Sequence, residues 1–199
     1  MINGIIFDAD GTLLDSMGFW ESTVFDVLKM AGVDDRSPKL IEALTPMTIT
    51  ESAAYLQKNY GIKLTAEEMI AREHQRIIDF YEREVELLPG MGALLEELAM
   101  RRIPMAIATA TQRYMIEMAL RKTGIYDKFA GVISCSDVGA GKNKPDVFLK
   151  ACELTGTTPQ TTLVVEDSRP AAETAEKAGF KVVLVNENTY KNVMSFFEA

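Results

Sequence analysis

Two cysteines and a single histidine are all the soft metal-binding chemistry this chain offers. Cys135 and Cys152 fit neither a disulfide framework nor a metal-ligand spacing, so both read as buried thiols. His74 stands among Arg72, Glu73, Gln75 and Arg76 and reads as helix surface. None of the eleven methionines clusters with His or Cys, which excludes a copper site and leaves them as flexible core filler. Positive charge is also scarce: 21 Lys and Arg against 29 Asp and Glu leave a net charge of −8. That balance excludes a nucleic-acid polyanion or an anionic membrane surface as partner. It still permits one locally positive pocket for a small phosphorylated metabolite. No apolar run approaches the roughly 20 residues of a membrane helix. Acidic residues follow the apolar start at once, unlike a signal peptide. The expectation is a soluble, cytoplasmic protein, a monomer or weak dimer.

What is present is an ordinary globular composition, 47% hydrophobic and 25% charged, with enough length for a core domain carrying an insertion. Asn3-Gly4-Ile5-Ile6-Phe7 is too short for a helix and apolar enough for a strand buried on both faces. Met105-Ala106-Ile107-Ala108, Leu163-Val164-Val165 and Val182-Val183-Leu184-Val185 have the same character, and Val132-Ile133 marks a weaker fifth strand. Helical patterns over 91–102, 112–122, 145–154 and 169–178 alternate with them. The alternation predicts an α/β fold: a doubly wound, Rossmann-like, mostly parallel sheet.

The stretch 16–85 breaks the rhythm. Trp20, Val24, Leu28 and Ala31 form an apolar helical stripe. Thr48-Ile49-Thr50-Glu51 and Thr65-Ala66-Glu67-Glu68 are capping-box patterns, and a long polar helix is expected over 66–84. Leu88-Pro89-Gly90 punctuates the return to the sheet. The predicted division is therefore a core of 1–15 and 86–199, with a helical cap domain of 16–85 inserted after the first strand.

Ligands of an open parallel sheet bind beyond the carboxyl ends of its strands. The first strand leads into Asp8-Ala9-Asp10-Gly11-Thr12, the second into Thr109-Ala110-Thr111, and the fourth into Glu166-Asp167-Ser168. The loop after the third carries Lys142-Asn143-Lys144-Pro145-Asp146. Together these motifs resemble the haloacid dehalogenase superfamily, most closely its helical-cap branch of phosphoglycolate phosphatase-like and β-phosphoglucomutase-like enzymes. Two positions depart from the family pattern, Asn143 where Pro is usual and Ala171 where Gly is common.

The resemblance implies a magnesium-dependent phosphatase with Asp8 as covalent nucleophile and Asp10 as general acid and base. For that, the Asp10 carboxyl must carry a proton when the first step begins. It implies Mg²⁺ ligation by Asp8, the Asp10 backbone carbonyl and Asp167, with Glu166 bound directly or through water. Lys142 is the second cation by family spacing, with Lys144 the alternative. Thr109, with Ala9, Thr12, Ala110 and Thr111 around it, is expected to hold the phosphate oxygens. Asp10 counts against the dehalogenase and phosphonatase branches. A phosphomutase, and a non-catalytic binder of phosphorylated ligands, remain as competing functions. The loop Thr45-Pro46-Met47-Thr48 is the candidate specificity loop. Its lack of Arg and Lys suggests a neutral leaving group, such as a sugar or polyol.

Overall fold

The computed structural model describes residues 1–30 and 32–197. Five parallel strands form one sheet: β1 (Gly4–Phe7), β2 (Met105–Thr109), β3 (Val132–Ser134), β4 (Thr162–Glu166) and β5 (Lys181–Leu184), in the order β3-β2-β1-β4-β5. The expected doubly wound sheet is therefore present, and every pairing in it is parallel. Strand alternation splits the core into two layers. Ile5 and Phe7 face one cluster with Leu94, Leu95, Leu98 and Leu120. Ile6 faces the other, with Ala106, Val164, Val147 and Phe148.

Topology positions the site. Because β1 is central, with β2 and β4 beside it, the loops after these three strands emerge together at one edge. Phe7 is in register with Ile107 and with Val165, so Asp8, Thr109 and Glu166 follow at nearly the same level. The Asp8 N–H donates to Val165 O at 2.9 Å, which carries the ladder one residue beyond the strand.

The helices are α1 (Met17–Met30), α2 (Pro38–Leu44), α3 (Ile49–Tyr60), α4 (Ala66–Asp79), α5 (Met91–Met100), α6 (Arg113–Lys122), α7 (Cys135–Val138), α8 (Asp146–Thr155), α9 (Arg169–Lys177) and α10 (Thr189–Met194). Helices α1–α4 share a third hydrophobic cluster that includes Val27, Leu28, Leu40, Leu44, Leu56 and Met69. Of the expected stripe, Trp20, Val24 and Leu28 lie on α1, and Ala31 falls outside the described residues. Both capping boxes form: Thr48 and Glu51 start α3, Thr65 and Glu68 start α4. The long helix expected over 66–84 is α-helical only to Asp79 and ends in a π-helical turn, Phe80–Glu84. That turn swings Phe80 and Tyr81 into the core, where Phe80 stacks on Phe19 at 4.1 Å. The outgoing and returning chains are clasped where they cross: Asp15 N donates to Glu86 O and Leu88 N to Leu13 O. No helix among the described residues is long and apolar enough to cross a membrane.

Candidate active site

Asp8 is 5% exposed at the end of the central strand. Lys142 Nζ donates to both Asp8 Oδ1 and Glu166 Oε2, the latter at 2.8 Å. All three side chains are buried, so this is an ion-pair triad out of bulk water. Lys144, by contrast, is exposed, and the structure brings Lys142 to the cluster. The Thr12 hydroxyl lies 3.5 Å from Asp8 Oδ2. Glu166 Oε1 also accepts from Ser168 N at 3.1 Å, which fixes the carboxyl plane.

Burial, with Glu166 alongside, pushes the Asp8 carboxyl up to about 7 while Lys142 pulls it down. Burial likewise raises Glu166 to about 7 against the pull of Lys142, and raises Asp167 to about 6 with the help of Asp8. Burial works to discharge Lys142, but Asp8 and Glu166 outweigh it and hold its pKa above the ordinary value. Lys142 therefore keeps its proton, and one positive charge faces three carboxyls.

Those carboxyls suit a divalent cation. Asp8, Glu166 and Asp167 each offer an oxygen within 4.8 Å of the others. Asp167 Oδ1 is buried and lacks a hydrogen-bond partner, an expensive condition for a carboxylate oxygen unless something positive meets it. Hard oxygen donors of this kind fit Mg²⁺. Gly11 sits close by at φ +76°, and a Cβ there would run into the Asp167 carboxylate.

Asp10 is held differently. Its Oδ1 accepts from Ser16 Oγ and from Tyr81 Oη, both at 2.6 Å, and its Oδ2 from Thr111 Oγ1 at 2.8 Å. Tyr81 Oη in turn accepts from Trp20 Nε1 at 2.9 Å. Thr111, expected to hold phosphate oxygens, thus spends its hydroxyl on Asp10. Its backbone N–H donates to Thr109 Oγ1 at 3.1 Å, keeping the fully buried Thr109 hydroxyl in place. Ala9 is fully buried, and its carbonyl accepts from the N–H groups of Thr12, Leu13 and Leu14, closing the tight loop after β1. Ala110 is half-buried in the wall of the same cavity.

Of the candidate specificity loop, Thr45 and Met47 line that cavity. Thr48 has its hydroxyl tied to Glu51 in the cap of α3. Pro46 O accepts from Lys142 N at 3.2 Å, so the loop rests directly on the lysine's backbone. His74 lies on polar helix α4, and both cysteines are buried; burial pushes the Cys135 thiol up to about 12.

The family model described as "Haloacid dehalogenase-like hydrolase" matches residues 5–185. The chain belongs to that family. Family membership accounts for the order of the acidic, hydroxyl and lysine loops along the sheet edge. Among haloacid dehalogenase-like relatives is a bifunctional riboflavin kinase/FMN phosphatase of Arabidopsis thaliana, 28% identical over 91% of this chain and 48% of that protein. The chain thus spans about half the length of that relative. Hexitol phosphatase B of Escherichia coli is 26% identical over 90% of this chain and 82% of that one. A β-phosphoglucomutase from Clostridium difficile superposes with a TM-score of 0.80 at 22% identity, over 96% of this chain and 88% of that one; this likeness shows the fold.

The Asp10 network escaped the sequence reading in part. Ser16 stood inside the first motif, and its hydroxyl could have been flagged there. Trp20 was read only as part of an apolar stripe, and nothing flagged Tyr81, because the π-helical turn shifts the helical register and only the folded chain aims Tyr81 inward.

Proposed function

We propose that the chain is a phosphatase of small phosphorylated metabolites that works through a phosphoaspartate at Asp8. The observation that carries this reading is the contrast between two carboxyls two residues apart. Asp8 is braced by Lys142 at the end of β1, while Asp10 is steered by three hydroxyl donors. A braced carboxylate suits a nucleophile, and a separately positioned one suits proton transfer.

In the proposed mechanism an Asp8 oxygen attacks phosphorus as the bond to the leaving oxygen breaks. Asp10, which must carry a proton when this step begins, gives it to that oxygen. Asp10 then takes a proton from water, whose oxygen attacks phosphorus, releasing inorganic phosphate and restoring the Asp8 carboxylate. Lys142 offsets charge on Asp8 and the phosphoryl group, and Thr109, Ala110 and Thr12 bound the space for the phosphoryl oxygens. Two like charges about 4 Å apart repel by roughly 4 kcal/mol at an effective dielectric of 20, so Lys142 alone cannot admit a phosphate dianion. Asp8, Asp167 and the Asp10 carbonyl, with Glu166 directly or through water, would hold Mg²⁺. Bound there, the ion supplies the missing positive charge for the transferring group.

The reading includes residues 16–85 as a cap domain over the core; the clasp of residues 13–15 with 86–88 supports that division. It also includes turnover in the cytoplasm by a monomer or weak dimer. Relatives named as phosphatases support hydrolysis over mutase chemistry. The test is release of phosphate from p-nitrophenyl phosphate with Mg²⁺, which Asp8→Asn should reduce by about 10⁴-fold or more. Mass spectrometry should find a trapped acyl phosphate on Asp8. Activity that survives Asp8→Asn or a chelator refutes the reading; equilibration of hexose 1- and 6-phosphates without net hydrolysis replaces it with a mutase.

A further inference from the structure

The cavity that reaches Asp8, Asp10, Thr109 and Lys142 does not stop at the sheet edge. It extends among α1–α4, with a volume of about 160 Å³. Beyond the catalytic loops most of its wall is hydrocarbon, with Trp20, Val24, Leu44, Met47, Leu56 and Met69 facing a few polar groups. Of the three hydroxyls in that part of the wall, those of Thr23, Thr45 and Ser52, two donate to backbone carbonyls. Thr23 Oγ1 donates to Phe19 O at 3.1 Å, and Thr45 Oγ1 to Ile41 O at 2.8 Å, each one turn back along the chain. Lys142 is the one Lys or Arg among the described residues lining the cavity, and it serves Asp8 and Glu166. Glu21 and Glu73 add negative charge to the wall.

These features select a leaving group. A second phosphate or a carboxylate would meet Glu21 and Glu73, and Arg76 beside Glu73 lies outside the cavity wall and is paired with Glu73 and Asp26. A polyol would find only the Glu21 and Glu73 carboxylates and the Ser52 hydroxyl for its several hydroxyls, and buried hydroxyls without partners are costly. An apolar body loses nothing there and gains from leaving water. A volume of about 160 Å³ suits a small body, of a few carbons, attached to one phosphoryl group.

We infer that the substrate is a phosphate monoester of an uncharged, apolar alcohol or phenol, whose hydrocarbon body lies between α1 and α4. The inference rests on the phosphatase reading. It keeps the neutral leaving group expected from the sequence and replaces its hydroxyl-rich body with a hydrophobic one.

The test is kcat/KM of the Mg²⁺-loaded protein for n-alkyl phosphates from ethyl to hexyl, with phenyl phosphate and hexitol 6-phosphate in parallel. Each methylene entering the cavity should raise kcat/KM by about two- to fourfold, hence about 16- to 250-fold from ethyl to hexyl. Hexyl and phenyl phosphate should both exceed hexitol 6-phosphate. Met47→Gln and Val24→Asn should each cut the hexyl-to-ethyl ratio by at least about fivefold, a within-variant ratio that cancels differences in folded fraction. A flat alkyl series, a preference for the hexitol ester, or an unchanged ratio in both variants overturns the inference and leaves the phosphatase reading standing. Failure to hydrolyse any of these esters refutes both.

Discussion

Replacing Lys142 by Met tests the electrostatic core of the site in the absence of any substrate. The Lys142, Asp8 and Glu166 side chains are 3%, 7% and 1% exposed, so water cannot take over the role of the ammonium group. Removing one partner of a buried ion pair costs about 3–5 kcal/mol, because the other charge stays uncompensated. A second route gives a similar figure. Each unit by which a carboxyl pKa rises further is about 1.4 kcal/mol, and two carboxyls rising by one unit give about 3 kcal/mol. For a protein of this size a loss of 3–5 kcal/mol lowers Tm by about 6–20 °C.

The pH dependence has a definite sign. Asp8 and Glu166 already sit near 7, above their unfolded values, so the folded state holds protons that the unfolded state has shed. Their contribution to stability therefore falls as pH rises from about 4 through 7. Without Lys142 the folded pKa values rise further, and the difference between variant and wild type opens mainly above about pH 6. Thermal unfolding in chelator should show most of the loss at pH 8 and about 1–2 kcal/mol, from packing alone, at pH 5.5. Adding Glu166→Gln to the variant should recover about half of the loss at pH 8. A loss under about 1 kcal/mol at pH 8, or equal losses at both pH values, would show that the triad is not held together as described.

Gly11→Ala would force a side chain into left-handed backbone and against the Asp167 carboxylate, costing about 1–2 kcal/mol in backbone strain. The Mg²⁺ concentration for half-maximal activity should rise at least tenfold, roughly what a 1.4 kcal/mol loss of binding gives, as read from a metal titration; an unchanged titration would remove Asp167 from the metal site. Tyr81→Phe removes a donor from Asp10 and strands the Trp20 indole N–H, with an expected cost of about 1–3 kcal/mol in urea unfolding. Trp20→Phe in the same chain should return part of that cost, and under the proposed proton transfer by Asp10 the Tyr81→Phe variant should lose more in kcat than it gains in KM.

Sequence alone went far because the candidate site sits on short, punctuated elements. Three apolar runs each end in a polar motif, and a parallel sheet places such ends on one edge, so Asp8, Asp10, Thr109 and Glu166-Asp167 stood out as candidates without coordinates. The two capping boxes were legible for a similar reason: their partners are three residues apart, and local hydrogen bonds need no knowledge of the rest of the fold.

Contacts between distant segments were another matter. Lys142 and Lys144 differ by two positions in a loop, and only packing decided which was buried against Asp8. Tyr81 reaches Asp10 across seventy-one positions through a π-helical turn that no hydrophobic period announces. The apolar lining of the cavity is likewise a property of four helices together, since each stripe alone looks like ordinary core. The amino-acid order determined which groups stand at the strand ends. The tertiary structure decided which of them share a proton, a charge or a wall, because those couplings fall off over a few ångströms while the residues making them lie far apart along the chain.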